Sequence, residues 1–126
     1  MNLNPENTNY LFILIVYISS SIPWAYYIGK VNLNSDIRNF GDKNPGSVNV
    51  FRAGSTLWGL VASILEISKS GIPIYYAINN SSISNLTMVL FVIISLVGHG
   101  FSPLLKFKGG KSLAVTAGTW LAITKL

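Results

Sequence analysis

Three long apolar runs, separated by polar segments, set the pattern of this chain. Residues 10–29 carry no charge over 20 positions, residues 53–78 are apolar apart from Glu66 and Lys69, and residues 86–105 form the third run. An α-helix needs about 20 apolar residues to cross about 30 Å of hydrocarbon. Each run therefore predicts a transmembrane helix.

A fourth apolar run, residues 112–126, carries no charge before Lys125. At about 1.5 Å per residue it is too short to cross a bilayer unaided. The segment ahead of the first run contains Glu6 and no basic residue, which disfavours a cleavable signal peptide. We expect an all-α integral membrane bundle of about four transmembrane helices. Residues 1–126 would form one polytopic domain, the N-terminal part of a longer fold.

Composition supports a membrane protein, because 50% of the residues are apolar and 10% are charged. A soluble domain carries about 25% charged residues. The chain has no cysteine and a single histidine, His99. Disulfides, a thiol nucleophile and an imidazole-based metal cluster are therefore excluded, and we expect neither a metal nor a cofactor.

The basic residues predict the orientation of the chain. Four of the nine lie in residues 30–52 and three in residues 106–111, whereas the loop at residues 79–85 has none. The positive-inside rule then predicts that both basic segments face the cytoplasm and that the N-terminus faces outside. The expected location of the protein is the plasma membrane. Attraction to anionic lipid headgroups would explain the same charges. No nucleic-acid partner is expected.

The first polar motif, residues 36–52, is rich in turn-forming residues. These are Gly41, Asn44, Pro45, Gly46 and Asn49. Such turns aim successive backbone N–H groups at one point, and Arg52 closes the segment with a positive charge. The motif therefore predicts a phosphate site, although an ordinary polar loop with a helix-capping role has the same composition. Asp36 and Arg38 are expected to form a local salt bridge.

The second motif places Gly109 and Gly110 between Lys108 and Lys111, directly before a helix. Backbone donors and ammonium groups can meet one oxyanion there. The spacing of a nucleotide-binding P-loop is absent. A lone histidine is more often structural, but His99 lies at a helix end beside these lysines, where it could hold a substrate hydroxyl or accept its proton.

Glu66 and Lys69 are three residues apart and share one face of the predicted second helix. If Gly71-Ile-Pro73 breaks that helix, the pair lies near its end and extends to water. Otherwise it is an ion pair inside the membrane that faces the bundle interior, where charges usually serve a function.

Together these motifs resemble the bacterial acyl-phosphate glycerol-3-phosphate acyltransferases, the PlsY family, along nearly the whole chain. The resemblance implies transfer of a fatty acyl group from acyl phosphate to the 1-hydroxyl of glycerol 3-phosphate, without an enzyme nucleophile. The products are lysophosphatidic acid and inorganic phosphate. The matching positions in the first phosphate-binding segment are Asn44, Gly46, Asn49 and Arg52. Those in the second motif are His99, Lys108, Gly109, Gly110 and Lys111. Either His99 or a substrate phosphate oxygen would accept the proton.

The chain departs from the family pattern at Asp42, where a serine is usual. This carboxylate would repel a phosphate unless Lys43 or Arg52 neutralises it, or it could act as a base or bind another polar head. Val48 replaces a common threonine, Ser112-Leu follows Lys111, and the family's third motif and last helices are absent.

Other functions stay open at this point. One alternative is an inactive or truncated membrane relative that binds a phosphorylated lipid or a partner chain, and a remoter one is a transporter subunit for an organic phosphate. The His-x-x-x-x-Asp signature of other glycerophosphate acyltransferases is missing, because Leu104 lies five residues after His99. Four spans, the last of them short, enclose a long acyl chain poorly, which points either to a homo-oligomer or to a longer parent chain.

Overall fold

The computed structural model describes residues 5–126, which contain six α-helices and two short 3-10 turns but no strand. The helices are α1 (Pro5–Ser21), α2 (Trp24–Asn32), α3 (Ser47–Arg52), α4 (Thr56–Asn80), α5 (Asn85–Gly100) and α6 (Leu113–Thr124). The all-α prediction is confirmed. The predicted outside location of the N-terminus concerns residues 1–4, which lie outside the described residues.

Three segments are long and apolar enough to cross a membrane, at Glu6–Asn32, Thr56–Asn80 and Asn85–Leu105. They coincide with the three long apolar runs. The fourth predicted helix, α6, has 12 residues and is shorter than a span. Large apolar side chains on these helices point away from the bundle, as lipid contact requires. Exposed examples are Leu14, Ile18, Leu60, Ile64, Val89 and Ile93.

Two prolines in the predicted spans differ in whether they interrupt the helix. The first span is divided at Ile22 and Pro23 into α1 and α2, whereas α4 continues through Pro73 to Asn80. Of the two alternatives for this segment, the one in which Gly71-Ile-Pro73 breaks the helix is therefore wrong. Proline removes the hydrogen bond to the carbonyl four residues earlier. For Pro73 that carbonyl belongs to Lys69, and the Ser19 hydroxyl of α1 donates to it at 2.5 Å.

Helix α4 forms the centre of the bundle, with α1, α2, α3 and α6 packed around it, while α5 packs on α1 and α6. The α4–α6 crossing is close because Gly71 and Gly118 meet there, and a Cβ on Gly118 would collide with the Ile67 carbonyl. Small residues allow such approach in membrane bundles. The Ser70 hydroxyl donates to the Val115 carbonyl at 2.9 Å across the same crossing.

The buried apolar side chains form two clusters. One joins α1, α4, α5 and α6 and contains Val16, Ile74, Ala77, Phe91 and Ala122. The other lies under the first motif and contains Ala25, Ile28, Ile37, Val50 and Ala62. The second cluster fixes α2, α3 and the loop between them against α4, and so positions the first motif.

Candidate functional site

The two polar motifs meet in the folded chain. The Lys111 ammonium lies 2.7 Å from the Asp42 carboxylate, and the Lys111 backbone N–H donates to the Asn44 side-chain oxygen at 3.1 Å. These partners are separated by almost 70 positions in the sequence. The two motifs therefore build one site at the end of the bundle from which both loops emerge.

Asn49 organises the first motif. Its side-chain nitrogen donates to the Asn44 carbonyl at 2.7 Å and to the Asp42 carboxylate at 3.0 Å, while its oxygen accepts from Arg52 at 3.0 Å. Asn49 is only 1% exposed, so this network is anchored in the protein interior. Gly41 takes a left-handed φ of 52°, and a Cβ there would collide with the Arg52 guanidinium. The glycine and the amide thus shape the loop around Arg52.

The paired glycines hold the second motif against the end of α5. The Gly109 N–H donates to the Gly100 carbonyl at 3.0 Å, and the Gly110 N–H donates to the His99 carbonyl at 3.3 Å. A Cβ on Gly109 would overlap the His99 carbonyl. These two N–H groups therefore bind the chain itself in this structure, and their predicted contact with a phosphate stays a prediction. Lys108 is exposed.

A buried cluster of Glu66, Lys69 and His99 lies beneath the loops. The Lys69 ammonium contacts Glu66 Oε2 at 2.7 Å, His99 Nδ1 at 2.7 Å and the Ile22 carbonyl at 2.8 Å. The side chains of the ion pair are each 1% exposed. The interior ion pair is confirmed, and its extension to water is wrong. Glu66 Oε1 accepts the Ala25 N–H at 3.0 Å, which links the cluster to the start of α2.

Lys69 determines how His99 faces the site. An ammonium has three donors and no acceptor, and Lys69 has hydrogen-bond partners at the Ile22 carbonyl and His99 Nδ1, with Glu66 Oε2 as its ion-pair partner. A charged Lys69 makes the imidazole Nδ1 the acceptor of this contact, which places the ring hydrogen on Nε2. Nε2 faces Gly110, where a Cβ would strike it. Glu66 Oε2, by contrast, has the ion-pair contact but no aligned hydrogen bond.

A cavity of about 150 Å³ connects the loops to this cluster. Its polar lining residues are Asn44, Ser47, Glu66, His99, Lys111 and Ser112. Its apolar wall includes Val48, Leu113 and Ala114. A larger groove of about 270 Å³ between α4 and α6 is lined by uncharged residues, so the smaller cavity is the one with the chemistry for an anion. The smaller cavity thus presents polar groups to a charged headgroup and apolar groups to a hydrocarbon chain.

The carboxylates of the first motif have strongly altered acidity. The hydrogen bond from Lys111 lowers the pKa of Asp42 to about 2, with help from the Asn44 N–H and the Asn49 amide. Arg38 holds the pKa of Asp36 well below its usual range, and Asp36 raises the pKa of Arg38. The predicted Asp36–Arg38 salt bridge is confirmed at 2.7 Å. Lys30 joins that pair at 3.4 Å.

The predicted site residues separate into three groups. The first group gathers around the Asp42 carboxylate and consists of Asp42, Asn44, Asn49, Arg52 and Lys111. Gly46 lies against the Asn44 side chain. His99, Gly109 and Gly110 lie directly beneath them. Lys108 has no ion pair within residues 5–126. Arg52 lies 3.7 Å from Asp42, as expected, whereas Lys43 forms no such pair and Lys111 takes that place.

Sequence reasoning missed the connection between the Glu66–Lys69 pair and His99. The available signal was the cost of charge inside a membrane, which makes an intramembrane Glu or Lys a functional hypothesis. The partner could not be identified, since His99 lies 30 residues from Lys69 on another helix.

Comparison with known proteins gives the family. Residues 10–126 match the family model described as glycerol-3-phosphate acyltransferase. The chain belongs to this family. Glycerol-3-phosphate acyltransferase 1 of Thermotoga maritima is 38% identical over 119 residues, which are 93% of this chain and 58% of that protein. The enzyme named glycerol-3-phosphate acyltransferase in Endomicrobium trichonymphae is 39% identical over 91% of this chain and 57% of its own length.

Solved structures agree. The crystal structure of PlsY, an integral membrane glycerol 3-phosphate acyltransferase, in its glycerol 3-phosphate form superposes with a TM-score of 0.85 at 28% identity. The matched region covers 93% of this chain and 58% of the PlsY chain. The lysophosphatidic acid form of PlsY superposes with a TM-score of 0.80 at 26% identity. The resemblance to the PlsY family and the integral membrane fold are thus confirmed, and the chain spans a little over half the length of these relatives.

Proposed function

We propose that this chain transfers a fatty acyl group from acyl phosphate to the 1-hydroxyl of glycerol 3-phosphate, giving lysophosphatidic acid and inorganic phosphate. The observation that carries the proposal is the convergence of Asn49, Arg52 and Lys111, from two distant motifs, on one anionic position. Amide and cationic donors in this arrangement suit a phosphate. The relatives' names and the ligands of the PlsY structures support the same substrate class.

In the proposed reaction the acceptor hydroxyl oxygen attacks the acyl carbonyl carbon, the carbon–oxygen bond to phosphate breaks, and inorganic phosphate leaves. An acyl phosphate has a good leaving group, so positioning and charge stabilisation supply most of the acceleration. No enzyme nucleophile or cofactor takes part. The apolar wall of the cavity, with Val48 and Leu113, would receive the start of the acyl chain.

The proton of the hydroxyl passes to a phosphate oxygen of the substrate in this proposal. His99 Nδ1 is bound to Lys69, so its Nε2 hydrogen makes it a donor that holds a substrate oxygen. Asp42 is a weak base because Lys111 and Asn49 bind its oxygens and its pKa is about 2.

The cellular setting is also proposed. The charge pattern supports a plasma-membrane protein whose two motif loops face the cytoplasm, where glycerol 3-phosphate and acyl phosphate would reach the site. Membrane lipid surrounds the apolar exterior. Assembly into a homo-oligomer stays a prediction, and no nucleic-acid partner is proposed.

The test is acyl transfer from palmitoyl phosphate to labelled glycerol 3-phosphate by the purified chain in detergent. Lys111→Ala is expected to abolish product formation, whereas Lys125→Ala, which removes the same charge at an exposed helix end, is expected to retain it. Glycerol 3-phosphate binding without any product would refute the transferase and support a phosphate-binding membrane relative. Equal activity in the two variants would remove Lys111 from the site.

A further inference from the structure

We propose that the Asp42 carboxylate occupies the anion position of this site and competes with the substrate's phosphate for the same donors. Asp42 would then set the affinity of the site for phosphate. This inference rests on the proposed function, because it assigns the phosphate of glycerol 3-phosphate to that position.

Four groups from both motifs bind the carboxylate. Its Oδ2 lies 2.7 Å from the Lys111 ammonium. Its Oδ1 accepts the Asn49 amide at 3.0 Å and the Asn44 backbone N–H at 3.2 Å, and it lies 3.7 Å from the Arg52 guanidinium. Every one of these residues is among those that the motifs predict for phosphate. The carboxylate thus has the contacts that a phosphate would need.

These four groups cannot bind the Asp42 carboxylate and a phosphate fully at the same time. A phosphate brings more negative charge and three acceptor oxygens, so it can replace the carboxylate on Lys111 and Arg52. If Asp42 stayed in place, the two anions would repel each other at close range. The Asp42 side chain is 41% exposed, so it can turn into water when phosphate binds. Phosphate binding therefore includes the cost of displacing Asp42.

The other carboxylate of the same loop provides a matched control. Asp36 is bound by Arg38 at 2.7 Å and lies 3.4 Å from Lys30, and it contacts none of the four groups that bind Asp42. Asp36→Asn removes the same charge as Asp42→Asn without changing the anion position. A difference between the two variants separates local competition from the net charge of the protein.

The experiment is a calorimetric titration of the purified chain in detergent with inorganic phosphate and, separately, with glycerol 3-phosphate. Asp42→Asn and Asp42→Ser are expected to lower the Kd for both ligands by on the order of tenfold. Asp36→Asn is expected to stay within about twofold of the wild type. Tryptophan fluorescence checks that each variant is folded.

Weaker or unchanged phosphate binding in both Asp42 variants overturns the inference, and would make Asp42 a brace between the motifs. A second measurement needs no variant. The ¹³C shift of the Asp42 carboxyl reports its pKa, which is expected to rise from about 2 toward its usual 3.8 when phosphate saturates the site. An unchanged pKa also overturns the inference.

Failure of the proposed function would appear differently. A protein that binds phosphate more tightly after Asp42→Asn but forms no lysophosphatidic acid refutes the transferase and supports the competition. A protein that transfers acyl groups but binds phosphate equally in both forms refutes the competition alone.

Discussion

The surface loops and the buried cluster of this protein use similar charges in opposite ways. At the surface, Lys111 and Asp42 have side chains that are 62% and 41% exposed. Inside, Lys69 and Glu66 are each 1% exposed at the same separation of 2.7 Å. An exposed pair contributes about 0–1 kcal/mol and exchanges readily. Removing one partner of a buried pair leaves the other charge unpaired in the protein interior, which solvates it poorly.

This difference suggests a division of roles. The loop charges can exchange one anion for another, which a substrate site requires. The buried cluster cannot rearrange so easily, and it holds His99 and the start of α2 in position through Lys69 and Glu66. We infer that the interior provides the fixed frame and the loops provide the exchangeable contacts.

The strongest way to break this division is to remove one buried charge. Lys69→Ala leaves Glu66 buried without its cation, and we expect a loss of about 3–5 kcal/mol in the free energy of unfolding. Denaturant titration in detergent, followed by tryptophan fluorescence, measures it. Lys43→Ala, at an exposed loop position, is the control and should change little. The double variant Glu66→Gln/Lys69→Met should recover much of the loss, and a single variant as stable as the wild type would contradict a buried ion pair.

At the surface, removing a charge should affect activity far more than stability. Arg52→Ala is expected to lower the rate of acyl transfer by about 10²–10³-fold, the effect of losing one preorganised donor. Membrane insertion and the midpoint of thermal unfolding should stay close to the wild type. Arg38→Ala removes a basic residue of the same motif that binds Asp36 instead, and this variant should retain most activity. Equal losses in both variants would show that any loop charge matters.

The helix packing beneath the site can be tested with glycines. Gly118→Ala places a methyl group against the Ile67 carbonyl at the α4–α6 crossing, and we expect a destabilisation of about 1–3 kcal/mol. Gly100→Ala is the matched control, because the nearest atoms to a Cβ there lie 3.7 Å away. Unfolding free energies of the two variants decide the point. A larger loss at Gly100 than at Gly118 would contradict the close crossing.

The smallest expected effect is the pH dependence of the loop pair. The pKa of Asp42 falls from 3.8 to about 2 in the folded protein, so its contribution to stability is complete above about pH 4 and is lost as the pH falls through 2. Asp36 titrates in the same direction through Arg38. Subtracting the unfolding profile of Asp42→Asn from that of the wild type isolates Asp42. A difference that grows on acidification would reverse the sign and contradict the pairing.

Much of the fold follows from local pattern. The apolar runs predicted the three spans, since length and hydropathy suffice for a helix in lipid. The composition of the loops predicted which residues gather at the site. The two prolines show the limit: Pro23 interrupts a span and Pro73 does not, although both lie in apolar runs. The outcome at Pro73 involves the Ser19 hydroxyl, which bonds the Lys69 carbonyl from another helix.

The sequence by itself determined the helical membrane architecture, the two basic motifs and the family, because these depend on residue type and spacing along the chain. Local spacing also predicted the pairs Asp36–Arg38 and Glu66–Lys69, whereas tertiary structure alone decided the contacts between distant segments. Asp42 lies beside Lys111, and Lys69 contacts His99, because helix packing brings distant segments within hydrogen-bond range. Electrostatic contacts act over a few ångströms, and no local pattern specifies which distant segment will lie that close.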